Sequence, residues 1–149
     1  MFRHILIPTD GSKLALKGAK AAVKLAKALK ARVTGVYVIT PYLPPLYGEA
    51  AMGYAPGLAP KDYAKAAEQE AQKALQAVER EARAAKVRCA SESITEAQPW
   101  RGILKVARAK KCDAIAMASH GRGGVAGLIL GSETSRVLAN SKIPVLVTR

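Results

Sequence analysis

The chain has 149 residues, 24 of them Lys or Arg and 11 Asp or Glu, for a formal charge of +13. Half of the residues are apolar and 23% are charged, globular averages that exclude a disordered chain and suit a single domain spanning 1–149. No apolar run approaches the ~18 residues a membrane helix needs, so no membrane association is expected.

The opening apolar stretch is too short for a signal peptide, which makes a cytoplasmic protein the expectation. Cys89 and Cys112 have no CxxC spacing and lie far apart in sequence, which argues against a disulfide scaffold or a zinc site. With His4 and His120 the only histidines, His-cluster metal chemistry is excluded. The charge is uneven. Residues 1–40 carry eight basic and one acidic side chain, 41–96 seven and eight, and 97–149 nine and two. Two electropositive ends favour an anionic partner without naming it.

Ile5-Leu6-Ile7, stopped by Pro8-Thr9-Asp10-Gly11-Ser12, reads as a buried parallel strand entering a turn, with Ser12 as a helix N-cap. Residues 13–30 form an amphipathic helix. Lys13, Lys17, Lys20, Lys24 and Lys27 lie on one face, and Leu16, Ala19, Ala22, Val23, Ala26 and Leu29 on the other. Val33 to Ile39 is β-branched and reads as the second strand. Residues 40–60, with five prolines, three glycines and Tyr42, Tyr47 and Tyr54, read as a long loop of the kind that is a lid, a partner surface or disordered. Residues 61–86 are a charge-balanced helix, and Val87 to Thr95 a strand at the sheet edge. Residues 100–111 are a third helix opened by Pro99. Ala114 to Ala118 is a fully apolar strand, 132–139 a short helix, and Pro144 to Thr148 the last strand. This alternation gives an α/β fold: a five-stranded, doubly wound parallel sheet with helices on both faces. Ligands of such folds bind beyond the strand C-termini, where the strand order reverses.

Two segments at that rim carry chemistry. The loop from Ser119 to Ser132, with Gly121, Gly123, Gly124 and Gly131, feeds a helix N-terminus. Glycine amides, the helix-start donors, the Ser132 hydroxyl and the Arg122 cation together make a phosphate cradle. A flexible turn with Ser132 as a plain N-cap is the other reading. Asp10 accepts either from a ribose hydroxyl or adenine amine, or from the backbone of an Asp-Gly turn. No GxxxxGK[ST] occurs, and no GxGxxG follows the first strand, so a P-loop enzyme and a dinucleotide-binding unit are disfavoured. His120 has no partner carboxylate nearby in sequence and no accompanying nucleophile motif. A loop histidine bonded to backbone is expected there.

Ile5-Leu6-Ile7-Pro8-Thr9-Asp10-Gly11-Ser12, the run Ala118-Ser119-His120-Gly121 followed by nine residues and Gly131-Ser132, and the closing Ile143-Pro144-Val145-Leu146-Val147 resemble the universal stress protein family over essentially the whole chain. The resemblance implies an ATP-binding, stress-related regulatory domain (with ADP or AMP as alternatives) that turns nucleotide over slowly or not at all. Asp10 corresponds to the ribose-contacting aspartate and Val38 to the residue whose backbone meets adenine. Gly121, Gly131, Ser132 and the Glu133 amide line the phosphates, and Pro8, Thr9, Met117, Ala118, His120, Arg122 and Thr134 complete the expected site. Mg²⁺ would be held largely by the phosphates. Ala118 stands where nucleotide-binding members carry the first glycine of their motif. Its methyl either crowds the nucleotide, with a positive φ costing on the order of 1 kcal/mol, or ends the strand in extended backbone at little cost. A homodimer through the C-terminal strand is also implied. The rival readings are a basic nucleic-acid-binding module, and a slow ATP hydrolase or nucleotidyl-transfer enzyme sensitive to His120.

Overall fold

The computed structural model describes residues 1–42, 60–120 and 130–149. They form β1 (His4–Pro8), α1 (Lys13–Leu29), β2 (Arg32–Ile39), α2 (Pro60–Ala84), β3 (Cys89–Thr95), α3 (Pro99–Ala109), β4 (Ala114–Ala118), α4 (Ser132–Asn140) and β5 (Val145–Thr148). All neighbouring strands run parallel in the order β3-β2-β1-β4-β5. β3 lies at an edge, as its polar composition predicts, and β5 forms the opposite edge.

Strand alternation divides the core. Ile5 and Ile7 pack with Ala19, Val23 and Ala26 of α1 and Val78 and Ala82 of α2. Leu6, Ile115 and Met117 face the other way, against Ile103, Leu104 and Val106 of α3 and Val137 of α4. Both faces of the sheet are therefore covered, and the fully apolar reading of β1 and β4 follows from that. α1 approaches closely because its inner face is Ala15, Gly18, Ala19, Ala22, Val23 and Ala26. Its lysines 13, 17, 20, 24 and 27 are solvated, and Lys20 reaches Glu81 of α2 at 3.5 Å. Ser12 caps the helix by accepting from Ala15 N–H at 3.1 Å.

Three helices end on lysines in left-handed backbone or just before them: Lys30 (φ 54°), Lys86 (φ 60°) and Lys111 (φ 53°). α2 accordingly stops at Ala84 and α3 at Ala109, each two residues before the end predicted from composition. A lysine there meets the partial negative charge of the helix C-terminus. Cys112 is buried and Cys89 half-buried, and both are free thiols. Burial pushes the Cys112 thiol up to about 11, so it serves as a small apolar residue.

Candidate functional site

The order of the strands reverses between β1 and β4. Their ladder comprises only Ile5–Ala114 and Leu6–Ile115, although β1 continues to Pro8 and β4 to Ala118. Beyond the last pair the two strands share no ladder, and each enters its loop at the same rim. This is the crevice in which doubly wound sheets hold ligands.

On the β1 side, Thr9 is buried and its N–H donates to Val36 O at 2.9 Å. Thr9 Oγ1 accepts from Gly11 N–H at 3.2 Å, and Asp10 Oδ1 from Ser12 N–H at 2.9 Å. Gly11 has φ 78°, a conformation open to glycine at little cost. The Asp-Gly turn is thus present, and it holds the half-buried Asp10 carboxylate at the rim.

The next strand outward contributes backbone. Val36 O points toward β1, where it meets Thr9 N–H, and the β1–β2 register ends at Pro8–Val36. Backbone direction alternates along a strand, so the N–H and C=O of Val38 also point toward β1's side, past its end. Among the described residues, no backbone group of β1 meets them. The Val38 side chain faces the other layer, where a Cβ on Gly102 of α3 would lie 2.8 Å from its Cγ2. A donor and an acceptor on one residue, open beside an apolar strand end, match the edge of a planar heterocycle.

On the β4 side, the Ala118 methyl is turned toward α1. A Cβ on Gly18 would lie 3.3 Å from Ala118 Cβ and 3.2 Å from its N. Ala118 is an extended strand residue, not a positive-φ one, so of the two expectations for it the low-cost one holds. Met117 faces α3 and α4 in the core, leaving only its backbone for the crevice. Thr134 is buried, and its hydroxyl donates to Ala118 O at 3.1 Å, pinning α4 to the end of β4. His120 Nδ1 lies 3.0 Å from Ser119 Oγ; the partner is a neighbouring hydroxyl, not the backbone expected. Ser119 is 2% exposed, and its hydroxyl fixes the His120 ring.

The cap of α4 is Gly131, not Ser132, and no side chain caps the helix. Gly131 N–H donates to Ser119 O at 2.8 Å, and Gly131 O accepts the first helical bond, from Ser135 N–H. The amides of Ser132, Glu133 and Thr134 are orphan helix-start donors, and the Ser132 hydroxyl forms no hydrogen bond among the described residues. Helix start and dipole together present an anion site of roughly half a positive charge. A side chain at 131 would be crowded: a Cβ there would sit 3.2 Å from Ser119 O and 3.3 Å from His120 Cα, so that backbone would have to give by a few tenths of an ångström. Gly121 and Arg122, like Tyr47 and Tyr54, lie outside the described residues. The Tyr42 ring packs tilted, at 60° and 5.3 Å between centroids, against Tyr63, whose hydroxyl donates to Thr40 O at 2.9 Å, tying the end of β2 to α2.

The Glu133 carboxylate has a role the sequence did not signal. Its Oε2 accepts from Trp100 N–H at 2.7 Å, capping α3, whose own cap residue Gln98 makes no side-chain bond. Its Oε1 accepts from Arg136 at 3.1 Å. With both oxygens engaged, the carboxylate leaves its helix start free for an anion. Among the described residues no three His, Cys, Asp or Glu side chains cluster as metal ligands.

A family model described as the universal stress protein family matches residues 1–149. A universal stress protein of Methanocaldococcus jannaschii is 34% identical over 149 residues, covering 100% of this chain and 83% of its own. In structure, a universal stress protein from Lactobacillus plantarum superposes with a TM-score of 0.76 at 21% identity, over 99% of this chain and 98% of its own. Another universal stress protein, solved in complex with cAMP, gives 0.70 at 21% identity, over 99% and 97%.

Proposed function

The chain belongs to the universal stress protein family, and on that premise we propose that it is a cytoplasmic regulatory domain that binds an adenine nucleotide, ATP in particular, between the loops that follow β1 and β4. The observation that carries the reading is the uncapped start of α4, held against the end of β4 by Gly131 and Thr134. Its three amides and the Ser132 hydroxyl receive phosphoryl oxygens. The carboxylate of Asp10, fixed by Ser12 N–H, accepts from a ribose hydroxyl. The backbone N–H and C=O of Val38 pair with the adenine edge. A relative solved with cAMP supports an adenine nucleotide in this fold.

When bound, the nucleotide supplies the phosphoryl chemistry; this chain's residues bind and orient it. At this rim His120 pairs with the buried hydroxyl of Ser119, and the reading is of a site that stores or senses nucleotide rather than one that turns it over rapidly. Any Mg²⁺ would be held largely by the phosphates, since both oxygens of Glu133 are engaged. We further assign homodimer formation to β5, an edge strand with Leu146 44% exposed, because an open apolar edge invites pairing.

The test is whether protein purified at moderate salt carries adenine nucleotide, and whether ATP raises its melting temperature. Asp10→Ala and Gly131→Val should each abolish the rise. A protein that neither co-purifies nucleotide nor responds to ATP overturns the reading. Binding to single-stranded nucleic acid that collapses with salt, with no adenine preference, would replace it.

A further inference from the structure

The opposite edge of the sheet, at the strand N-termini, bears an open hollow of about 660 Å³ whose lining includes Arg3, Lys30, Arg32, Arg88, Lys111 and Asp113. Lys30 and Lys111 follow the C-termini of α1 and α3, and those helix dipoles account for them. The arginines have no such account, because they stand at strand starts and sheets carry little net dipole. The register that pairs Val33 with Cys89 sets Arg32 beside Arg88 one row earlier, and Val33 N–H donates to Arg88 O at 2.8 Å. In-register residues of adjacent strands share a face at about 4.8 Å spacing, where like charges destabilise. The third member of the row is His4 of β1, so no acid separates them along the sheet.

No described acidic side chain forms an ion pair with either arginine. The nearby acid, Asp113, accepts from the backbone N–H groups of Arg3 at 2.8 Å and His4 at 3.0 Å, and Glu92 is taken by Lys110 at 2.8 Å. Arg3, Lys30, Arg32, Arg88 and Lys111 are all exposed and form no ion pair among the described residues. Aligned like charges that no fold-level interaction relieves fit a ligand that bridges them.

We propose that this hollow is a second anion site, taking a compact polyphosphate whose adjacent phosphoryl groups bridge Arg32 and Arg88, with Arg3, Lys30 and Lys111 around it. Guanidinium forks grip phosphoryl oxygens bidentately, and two phosphoryl groups in one chain match two guanidiniums on neighbouring strands. The hollow's volume suits a small molecule. Among the described lining residues the aromatic rings are Phe2 and the buried His4, poor provision for the base stacking that single-stranded nucleic acid uses. The site is separate from the nucleotide crevice, because β1's five residues span roughly 17 Å between the two edges.

The experiment titrates inorganic tripolyphosphate into the full chain at constant ionic strength, followed by calorimetry and thermal melting. Saturable binding with a rise in melting temperature is expected. Arg32→Gln/Arg88→Gln should weaken that binding at least tenfold and keep the response to ATP. Its ligand-free melting temperature should equal or exceed the parent's, since a repulsion is removed. Arg3→Gln alone, whose backbone contacts remain, should weaken binding several-fold. Sulfate at matched ionic strength giving the same shift, unchanged tripolyphosphate affinity in the double variant, or a double variant that melts well below the parent would each overturn the proposal. So would a short single-stranded oligonucleotide binding the hollow more tightly than tripolyphosphate.

Discussion

Ala118→Gly introduces the glycine that the family resemblance implies for a nucleotide-binding member, and the structure gives the change a counterintuitive outcome. The methyl it removes lies on the α1 side of β4, where a Gly18 Cβ would come within 3.3 Å of it, and Ala118 is 7% exposed. Losing one buried methyl costs ~0.8 kcal/mol, and glycine's extra chain freedom in a strand adds about 0.5–1 kcal/mol. Destabilisation of about 1.5 kcal/mol, or 3–6 °C in melting temperature for a chain of this size, is expected. ATP affinity should stay within about twofold, because 1.4 kcal/mol would be needed for a tenfold change and the methyl does not face the crevice. Gly18→Ala probes the same contact from the helix. Its new Cβ would lie 2.9 Å from Thr148 Oγ1 and 3.2 Å from Ala118 N, so it destabilises by about 1–3 kcal/mol. Pairing it with Ala118→Gly removes the methyl clash but not those two, and rescue should be partial. Chemical denaturation and ATP titration of the three variants decide the matter. A tenfold gain in ATP affinity for Ala118→Gly would refute the reasoning, since the methyl would then have been occluding the nucleotide.

Gly102→Ala places a Cβ 2.8 and 2.9 Å from the two γ-carbons of Val38 and 3.2 Å from Ile94 Cδ1. A stiff β-branched neighbour yields poorly, so a loss of about 1–3 kcal/mol should accompany weaker ATP binding through displaced Val38 backbone, read by melting and calorimetry. Glu133→Ala leaves Trp100 N–H without its acceptor at the start of α3. About 1 kcal/mol of stability should go, with a change in the emission of the chain's single tryptophan, and Glu133→Gln should recover most of it. His4 is buried with Nε2 2.7 Å from Thr34 Oγ1, and its Nδ1 makes no well-formed hydrogen bond among the described residues. Burial, then the Arg32 charge, lowers its pKa from 6.5 despite the opposing Lys110 carbonyl and Asp113. The folded state therefore binds its proton less readily than the unfolded chain. Stability should be full above pH 6.5 and fall below it, by up to about 1.4 kcal/mol per pH unit, until the folded pKa is passed. His4→Gln should flatten urea-denaturation free energies in that window. Asp113 acts lower on the scale. Burial raises its pKa, but the Arg3 and His4 amides outweigh that and leave it below 3.8. Its stabilisation is present above that pH and is lost in stronger acid. Asp113→Asn should remove that acid-range loss.

Much of this protein is written locally. Period-two and period-3.6 patterns marked the strands and helices, Ser12 marked the start of α1, and the order of elements implied a parallel sheet. Near-neighbour chemistry decides such features, within about four residues along the chain. The spacing from Gly121 to Gly131-Ser132 pointed to the rim loop for the same reason. Helix ends were less legible, because Lys86 and Lys111 occupy left-handed positions that composition assigns to glycine. Residues remote in sequence decided the rest. Strand order brought β1 beside β4 for only two pairs and so opened the crevice. Glu133 caps α3 through Trp100, 33 residues earlier, and Gly18 makes room for Ala118 across α1 and β4. The row of His4, Arg32 and Arg88 exists only in the register of three strands. Backbone periodicity is a property of short segments, whereas register and close approach arise when packed layers choose which segments meet.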